Sequence, residues 1–194
     1  MNIKRFEQAV SLFDNYNKND PKTYFWEGEE YPQEFFLALQ LYRWVSKLEP
    51  NASEALLLAS RCQHIGRWEI PRDSYPEGKA GYLNWRSNLA LYHAEKAGLL
   101  LAEAGYEHDF IERVKRINLK KDLKSDPEVQ TMENGLCLVF LQFEYEDFIS
   151  KHEDEKVVRI LKKTWAKMTE AGRKAALTLQ FSDRGKKLLE SALS

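Results

Sequence analysis

Cysteine, glycine and proline are scarce in this chain, neither charge sign dominates, and no long apolar run occurs. Each shortage excludes a class. Only two cysteines, Cys62 and Cys137, occur in 194 residues. They lie far apart within helical patterns, which suits a reducing cytoplasm better than a disulfide framework. Nine glycines and six prolines cluster between segments, whereas a β-sandwich needs turn residues every 8–12 residues or so. Lys+Arg number 29 against 30 Asp+Glu, a formal net charge of −1, and the pI is near 6.5. That balance lacks the basic face of a duplex-DNA binder and the polybasic segment of a membrane anchor. The longest uncharged run, Asn134 to Phe143, is ten residues and cannot span a bilayer. The first residues, Met1 to Phe6, meet a charge every few positions and lack a signal peptide's apolar stretch. What is present is a 43% hydrophobic content with five Trp, nine Tyr and ten Phe, enough for a packed core. The expectation is a soluble, cytoplasmic, globular protein.

Apolar spacing predicts helices nearly throughout. Ile3, Phe6, Val10 and Phe13 stripe a first helix to about Tyr16, which Asn19-Asp20-Pro21 stops. A second opens at Pro32 and runs to about Leu48, apolar nearly all round and therefore central. The third spans Ser53 to about Arg67, with Asn51 or Ser53 as its cap. Glu69 to Gly78 holds two prolines and a glycine and reads as a structured, functional loop. A long helix follows from Tyr82 to Ala104, ended by Gly105, and a shorter one from Asp109 to Leu119. Asp126-Pro127-Glu128 is a start signal for a helix to about Ile149. Lys156 to Met168, Lys174 to Leu179, and a last helix capped by Ser182 complete the chain. The pattern predicts one all-α domain, residues 1–194, of eight or nine helices.

The glycine-rich phosphate loops, the G-x-S-x-G elbow, C-x-x-C, H-E-x-x-H and the Glu-x-x-His pairs of di-iron bundles are all missing. The one His-Asp doublet, His108-Asp109, falls where a helix begins, with Asp109 an N-cap and His108 a solvated neighbour. Chemistry concentrates between Arg61 and His93. Those 33 residues hold Arg61, Arg67, Arg72, Lys79 and Arg86, the aromatics Trp68, Tyr75, Tyr82, Trp85 and Tyr92, and two of four histidines. Arg61, His64 and Trp68 stand at i, i+3 and i+7, one face of a helix, and Arg86 and His93 share another. Arginine forks bind phosphate bidentately and flat aromatics stack on bases. Arg61, Arg67, Trp68, Arg72, Tyr75, Trp85 and Arg86 are therefore candidates for a phosphate- or nucleotide-binding pocket. The same residues also suit packing under the loop, with the arginines pinning its carbonyls. Glu133 heads the most apolar helix, where a carboxylate needs a partner or a metal unless that turn lies at the surface.

Several longer stretches resemble an uncharacterised family known only as domain of unknown function 4202. They are Asn51-Ala52-Ser53-Glu54-Ala55, Arg61-x-Gln63-His64-Ile65-x-Arg67-Trp68-x-Ile70-Pro71-Arg72, Tyr75-Pro76 and Gly81-Tyr82-x-x-Trp85-Arg86. His93-Ala94, Gly105-Tyr106, Leu138-Val139-Phe140-Leu141 and Thr164-Trp165-x-Lys167-Met168 continue the match. The family name implies no activity. It in turn resembles the HD-domain phosphohydrolases, which are all-α and bind a divalent metal. Ala59-x-x-x-x-His64-Ile65 is similar to their doublet helix, with Ile65 in place of the Asp. His93, followed by Ala97, Leu100 and Gly105, is similar to the next histidine motif. Met132-Glu133-Asn134-Gly135-Leu136 is similar to the final Asp motif, with Asn134 in the Asp's place, and Gln142 stands where the family tends to Glu. The resemblance implies an HD-like metal-dependent phosphohydrolase acting on a nucleotide or small phosphate ester. His64, His93, Glu133 and Asn134 would then hold Mn, Mg, Fe or Zn. The alternative is a non-catalytic helical module binding a nucleotide, an RNA end or a partner protein through the same surface.

Overall fold

The computed structural model describes residues 2–193, and among them helices dominate as the periodicity predicts. Helix α1 (Ile3–Asn17) is followed by strands β1 (Thr23–Trp26) and β2 (Glu29–Pro32), then α2 (Gln33–Leu48) and α3 (Glu54–Cys62). Two 3₁₀ turns, Arg67–Glu69 and Arg72–Ser74, occupy the loop before α4 (Gly78–Glu103) and α5 (His108–Asn118). Helix α6 (Pro127–Val139) passes through a π-helical turn, Phe140–Glu144, into α7 (Tyr145–Ser150). Then come α8 (Asp154–Lys167), α9 (Glu170–Ala176) and α10 (Asp183–Leu193). With α6 and α7 taken as one helix, the described residues hold nine.

The caps follow elementary rules. Ser53 Oγ accepts from Leu56 N at 3.2 Å, and Asp126 Oδ1 accepts from Glu128 N at 3.0 Å behind Pro127. Asp20 does more than stop α1. Its buried carboxylate accepts from Lys22 N at 3.0 Å and from Glu34 N at 2.9 Å. It thereby caps α2, whose own N-cap residue is Pro32, without a side chain to offer.

The hairpin is a departure from the all-helical reading. Thr23 pairs with Pro32 and Trp26 with Glu29, across a two-residue turn in which Glu27 and Gly28 both have positive φ, the geometry that matches strand twist. Tyr24 stacks on Phe36 and donates its hydroxyl to the Phe143 carbonyl at 2.6 Å. The hairpin is thus clamped against the π turn. A second departure is α3, which ends at Cys62 instead of running to Arg67. Gly66 turns the chain with φ 69° while the Tyr92 and Tyr16 rings close over it.

Helix α2 is central, as its apolar circumference predicts, and buries Phe36, Leu37, Leu41, Trp44 and Val45 between α3 and α6. Buried side chains from all ten helical segments join one core. Gly135 lets α6 approach α2 closely, because a Cβ there meets Leu41 Cδ1 at 3.0 Å and Val45 Cγ2 at 3.2 Å. Gly135→Val is therefore expected to lower unfolding free energy by about 1–3 kcal/mol through overpacking. Urea denaturation reads this, and an unchanged midpoint would show slack between the two helices.

Candidate functional site

Tyr82, Trp85, Arg86, Leu89, Ala90 and His93 recur at helical spacing along one stripe of α4, and all six face a cavity of about 420 Å³. The turn after α3 supplies Gln63, His64 and Arg67 to the opposite wall, and Asn118, Leu119 and Lys120 close it from the end of α5. His64 and His93 lie with ring centroids 5.6 Å apart. Among these lining residues there are three permanent cations and no carboxylate.

Aromatic rings hold the arginines in place. The Arg67 guanidinium lies 5.6 Å from the Trp85 ring centroid, and that of Arg86 lies 5.7 Å from Tyr82. Trp85 itself is buried and donates its indole N–H to the Ile70 carbonyl at 2.9 Å. It is a wall and a pin for the loop, not a free stacking face. His93 Nδ1 donates to the Ile65 carbonyl at 2.7 Å, which leaves Nε2 as a bare acceptor. Burial pushes the His93 pKa down to about 4 against that hydrogen bond. His64 is held well below the usual range by removal from water and by Arg67, His93, Lys120 and Arg86. Both rings are neutral at pH 7, so the charge in the cavity comes from Arg67, Arg86 and Lys120.

Gln63, His64 and Lys120 form a wall shared with a second, more apolar chamber of about 210 Å³ between α2 and α6. Glu133 lines it, 2% exposed, with Lys120 Nζ at 2.8 Å and Lys167 Nζ at 3.1 Å. Burial alone would raise its pKa, but the two ammonium groups outweigh that and hold it below the usual carboxylate range. Glu34 lines the same chamber, buried, with Arg67 Nε at 3.7 Å; burial, with Glu144 and Asp20 adding to it, pushes its pKa up to about 8.

Of the sequence candidates, His64, Arg67, Trp85, Arg86 and His93 converge on the cavity, and Glu133 reaches the adjoining chamber. The others are engaged elsewhere. Arg61 is buried against Asp14 of α1, pointing away from His64, because α3 ends before His64 and Trp68 can share its face. Trp68 packs on Tyr16 with centroids 5.8 Å apart. Arg72 donates to the carbonyls of Tyr75 and Pro76, both at 2.9 Å, so it pins the loop. Tyr75 accepts from Asn88 Nδ2 at 3.1 Å. His108 and Asp109 are solvent-exposed at the start of α5.

Asn134, on α6, braces the start of α9 and does not line the cavity. Its Nδ2 donates to Thr169 Oγ1 at 2.8 Å, and its Oδ1 accepts from Thr169 N at 3.0 Å and Gln130 Nε2 at 3.3 Å. Asn134→Leu is expected to cost about 2–4 kcal/mol, since three hydrogen bonds go and buried partners are stranded. Thermal unfolding measures it, and a loss below half that range would mean solvent already reaches Thr169.

The divalent metal implied by the HD resemblance does not fit these residues. Glu133 is neutralised by two lysines and Asn134 braces the start of α9, so no oxygen ligand is left for a hard cation, and two imidazoles alone fall short of the three protein ligands of a zinc site. Among the described residues no three His, Cys, Asp or Glu side chains are grouped to hold a metal ion.

Sequence reasoning missed Lys120, Asn118 and Glu34. Only Glu34 left a signal, as a carboxylate inside the first turn of a nearly all-apolar helix. Gln63 was visible inside the Arg61–Arg72 motif but was assigned no role.

A family model described as Domain of unknown function (DUF4202) matches residues 7–189. No curated protein and no solved structure matches the chain.

Proposed function

The chain belongs to the DUF4202 family, a name without an activity, and from its own residues we propose that it is a metal-independent binding protein for a small phosphate-bearing ligand. One observation carries this reading: Arg67 and Arg86 converge on a cavity with aromatic walls and no carboxylate among its lining residues, while Lys120 at its border is held by Glu133. Phosphate favours such a site because arginine forks offer paired N–H donors, and the stacking rings keep those forks oriented before the ligand arrives. A volume of about 420 Å³ suits a small molecule.

Calorimetric titration with inorganic pyrophosphate tests the proposal. Arg67→Ala and Arg86→Ala are each expected to weaken binding about tenfold or more, the worth of one charge-assisted contact. Arg159→Ala, an exposed position on α8, is the control and should leave binding unchanged. Equal affinity in all four proteins would overturn the reading.

Hydrolysis is the second reading, favoured by Glu34. A carboxyl with a pKa of about 8 beside Arg67 carries a proton at neutral pH and can give it to a leaving alkoxide. Phosphate release from a phosphate monoester, lost in Glu34→Gln, would support it, and no release would remove it. Buried free thiols at Cys62 and Cys137, both pushed up to about 12 by burial, support a reducing, cytoplasmic setting. Among the described residues no helix is long and apolar enough to cross a membrane.

A further inference from the structure

The cavity has a second chemical side that pyrophosphate cannot use. Three buried side chains that line it, Gln63, His93 and Asn118, are 6%, 3% and 3% exposed. Each spends its donor inside the protein. Gln63 Nε2 donates to the Asn118 main-chain carbonyl at 3.1 Å, Asn118 Nδ2 to Cys62 Sγ at 3.3 Å, and His93 Nδ1 to the Ile65 carbonyl. Each is left with an acceptor that meets no partner: Gln63 Oε1, Asn118 Oδ1 and His93 Nε2. Buried polar atoms are nearly always paired, so three unpaired acceptors on residues that line one cavity point to what belongs in it. A phosphate dianion presents only acceptors and satisfies none of them. A hydroxyl group does.

Resting on the phosphate-binding reading above, we infer that the ligand is a phosphate monoester carrying hydroxyl groups close to its phosphate, a sugar phosphate in chemical class. The anion faces Arg67 and Arg86, and the hydroxyls donate to Gln63, Asn118 and His93. The neutral state of His93 is needed for this, because a protonated Nε2 would be a donor and could not accept the hydroxyl's hydrogen.

Titration of the natural protein with methyl phosphate, ribose 5-phosphate and ribose separates the two readings. Ribose 5-phosphate is expected to bind at least about tenfold tighter than methyl phosphate, the worth of one or two added hydrogen bonds, and ribose alone not measurably. Nitrogen-15 spectra should show the His93 Nε2 resonance moving with ribose 5-phosphate and staying still with methyl phosphate. His93→Asn keeps a donor for the Ile65 carbonyl and deletes the Nε2 acceptor. It should narrow the gap between ribose 5-phosphate and methyl phosphate. Adenosine 5′-monophosphate distinguishes a nucleotide from a free sugar phosphate: equal or tighter binding assigns the sugar of a nucleotide, weaker binding the free sugar. Equal affinity for methyl and ribose 5-phosphates, with a stationary His93 signal, would overturn the hydroxyl inference and leave anion binding standing. No binding of either phosphate overturns both.

Discussion

At pH 8 the Glu34→Gln protein unfolds with a free energy above that of the natural chain by roughly 3–5 kcal/mol, each unit of pKa displacement being worth about 1.4 kcal/mol. The Glu34 carboxyl has a pKa near 8 when folded against a model value of 4.5. Between those values the folded state holds a proton that the unfolded chain has released, so stability falls as pH rises and levels off above 8. The histidines act in the opposite direction. His93, at about 4 against a model value of 6.5, and His64, also lowered, resist protons that the unfolded chain accepts, so stability falls as pH drops below 6.5. The natural protein should be most stable near pH 6.5, and Glu34→Gln should remove most of the alkaline decline without touching the acid one, the remainder belonging to Glu144, which burial also raises. Urea denaturation at pH 5, 6.5 and 8 checks this: an advantage of Glu34→Gln that is the same at pH 5 and 8 would refute the raised pKa. Ligand binding follows the same group. Once ionised, Glu34 competes for Arg67, so pyrophosphate affinity should fall above about pH 8 in the natural protein and not in Glu34→Gln.

Removing both ammonium groups from Glu133 with Lys120→Met and Lys167→Met is the other large effect, a loss of about 3–5 kcal/mol at neutral pH. The carboxylate is 2% exposed and cannot move to water, while both lysines lie nearer the surface. What the double variant creates is an uncompensated buried charge, and its cost exceeds the worth of the pairs themselves. Adding Glu133→Gln to it should therefore recover most of the stability. A triple variant as unstable as the double would show that the lysine stems, not their charges, carry the effect. Chemical denaturation of these two variants, the natural protein and Glu133→Gln alone completes the cycle.

Helix existence was legible wherever a period ran for three turns or more, and α6 even announced its first residue through Asp126-Pro127. The hairpin was not, because four-residue strands are too short to show a period, and Thr23-Tyr24-Phe25-Trp26 is aromatic on both faces. The end of α3 was misjudged because apolar spacing continues through Ile65 although Gly66 adopts a left-handed conformation. That error placed Arg61 beside His64, when its true partner is Asp14, 47 residues earlier. The α4 side of the cavity was readable, since Arg86 and His93 keep their phase on an unbroken helix. Gln63, Asn118 and Lys120 sit at or just beyond helix ends, where direction depends on how the chain turns and no spacing rule applies. Lys120 has φ 54°, a conformation that no pattern of its neighbours foretells.

The π turn at Phe140–Glu144 is where the hairpin and α2 are tied to the end of α6. Such a turn holds one residue more than an α-helical turn, and here its Gln142 accepts the Trp44 indole N–H at 2.8 Å while its Phe143 carbonyl receives Tyr24. Deleting one residue from it would let α6 and α7 run on as regular α-helix with better local hydrogen bonds. Because the wider turn absorbs its extra residue locally, the side chains after it would keep nearly their present phase. What the deletion would remove is the bulge itself, with Gln142 no longer presented to the Trp44 indole and the Phe143 carbonyl drawn back into the helical ladder, away from Tyr24. The extra residue is in this sense a fastening for α2 and the hairpin, and the chain can no longer lose it cheaply.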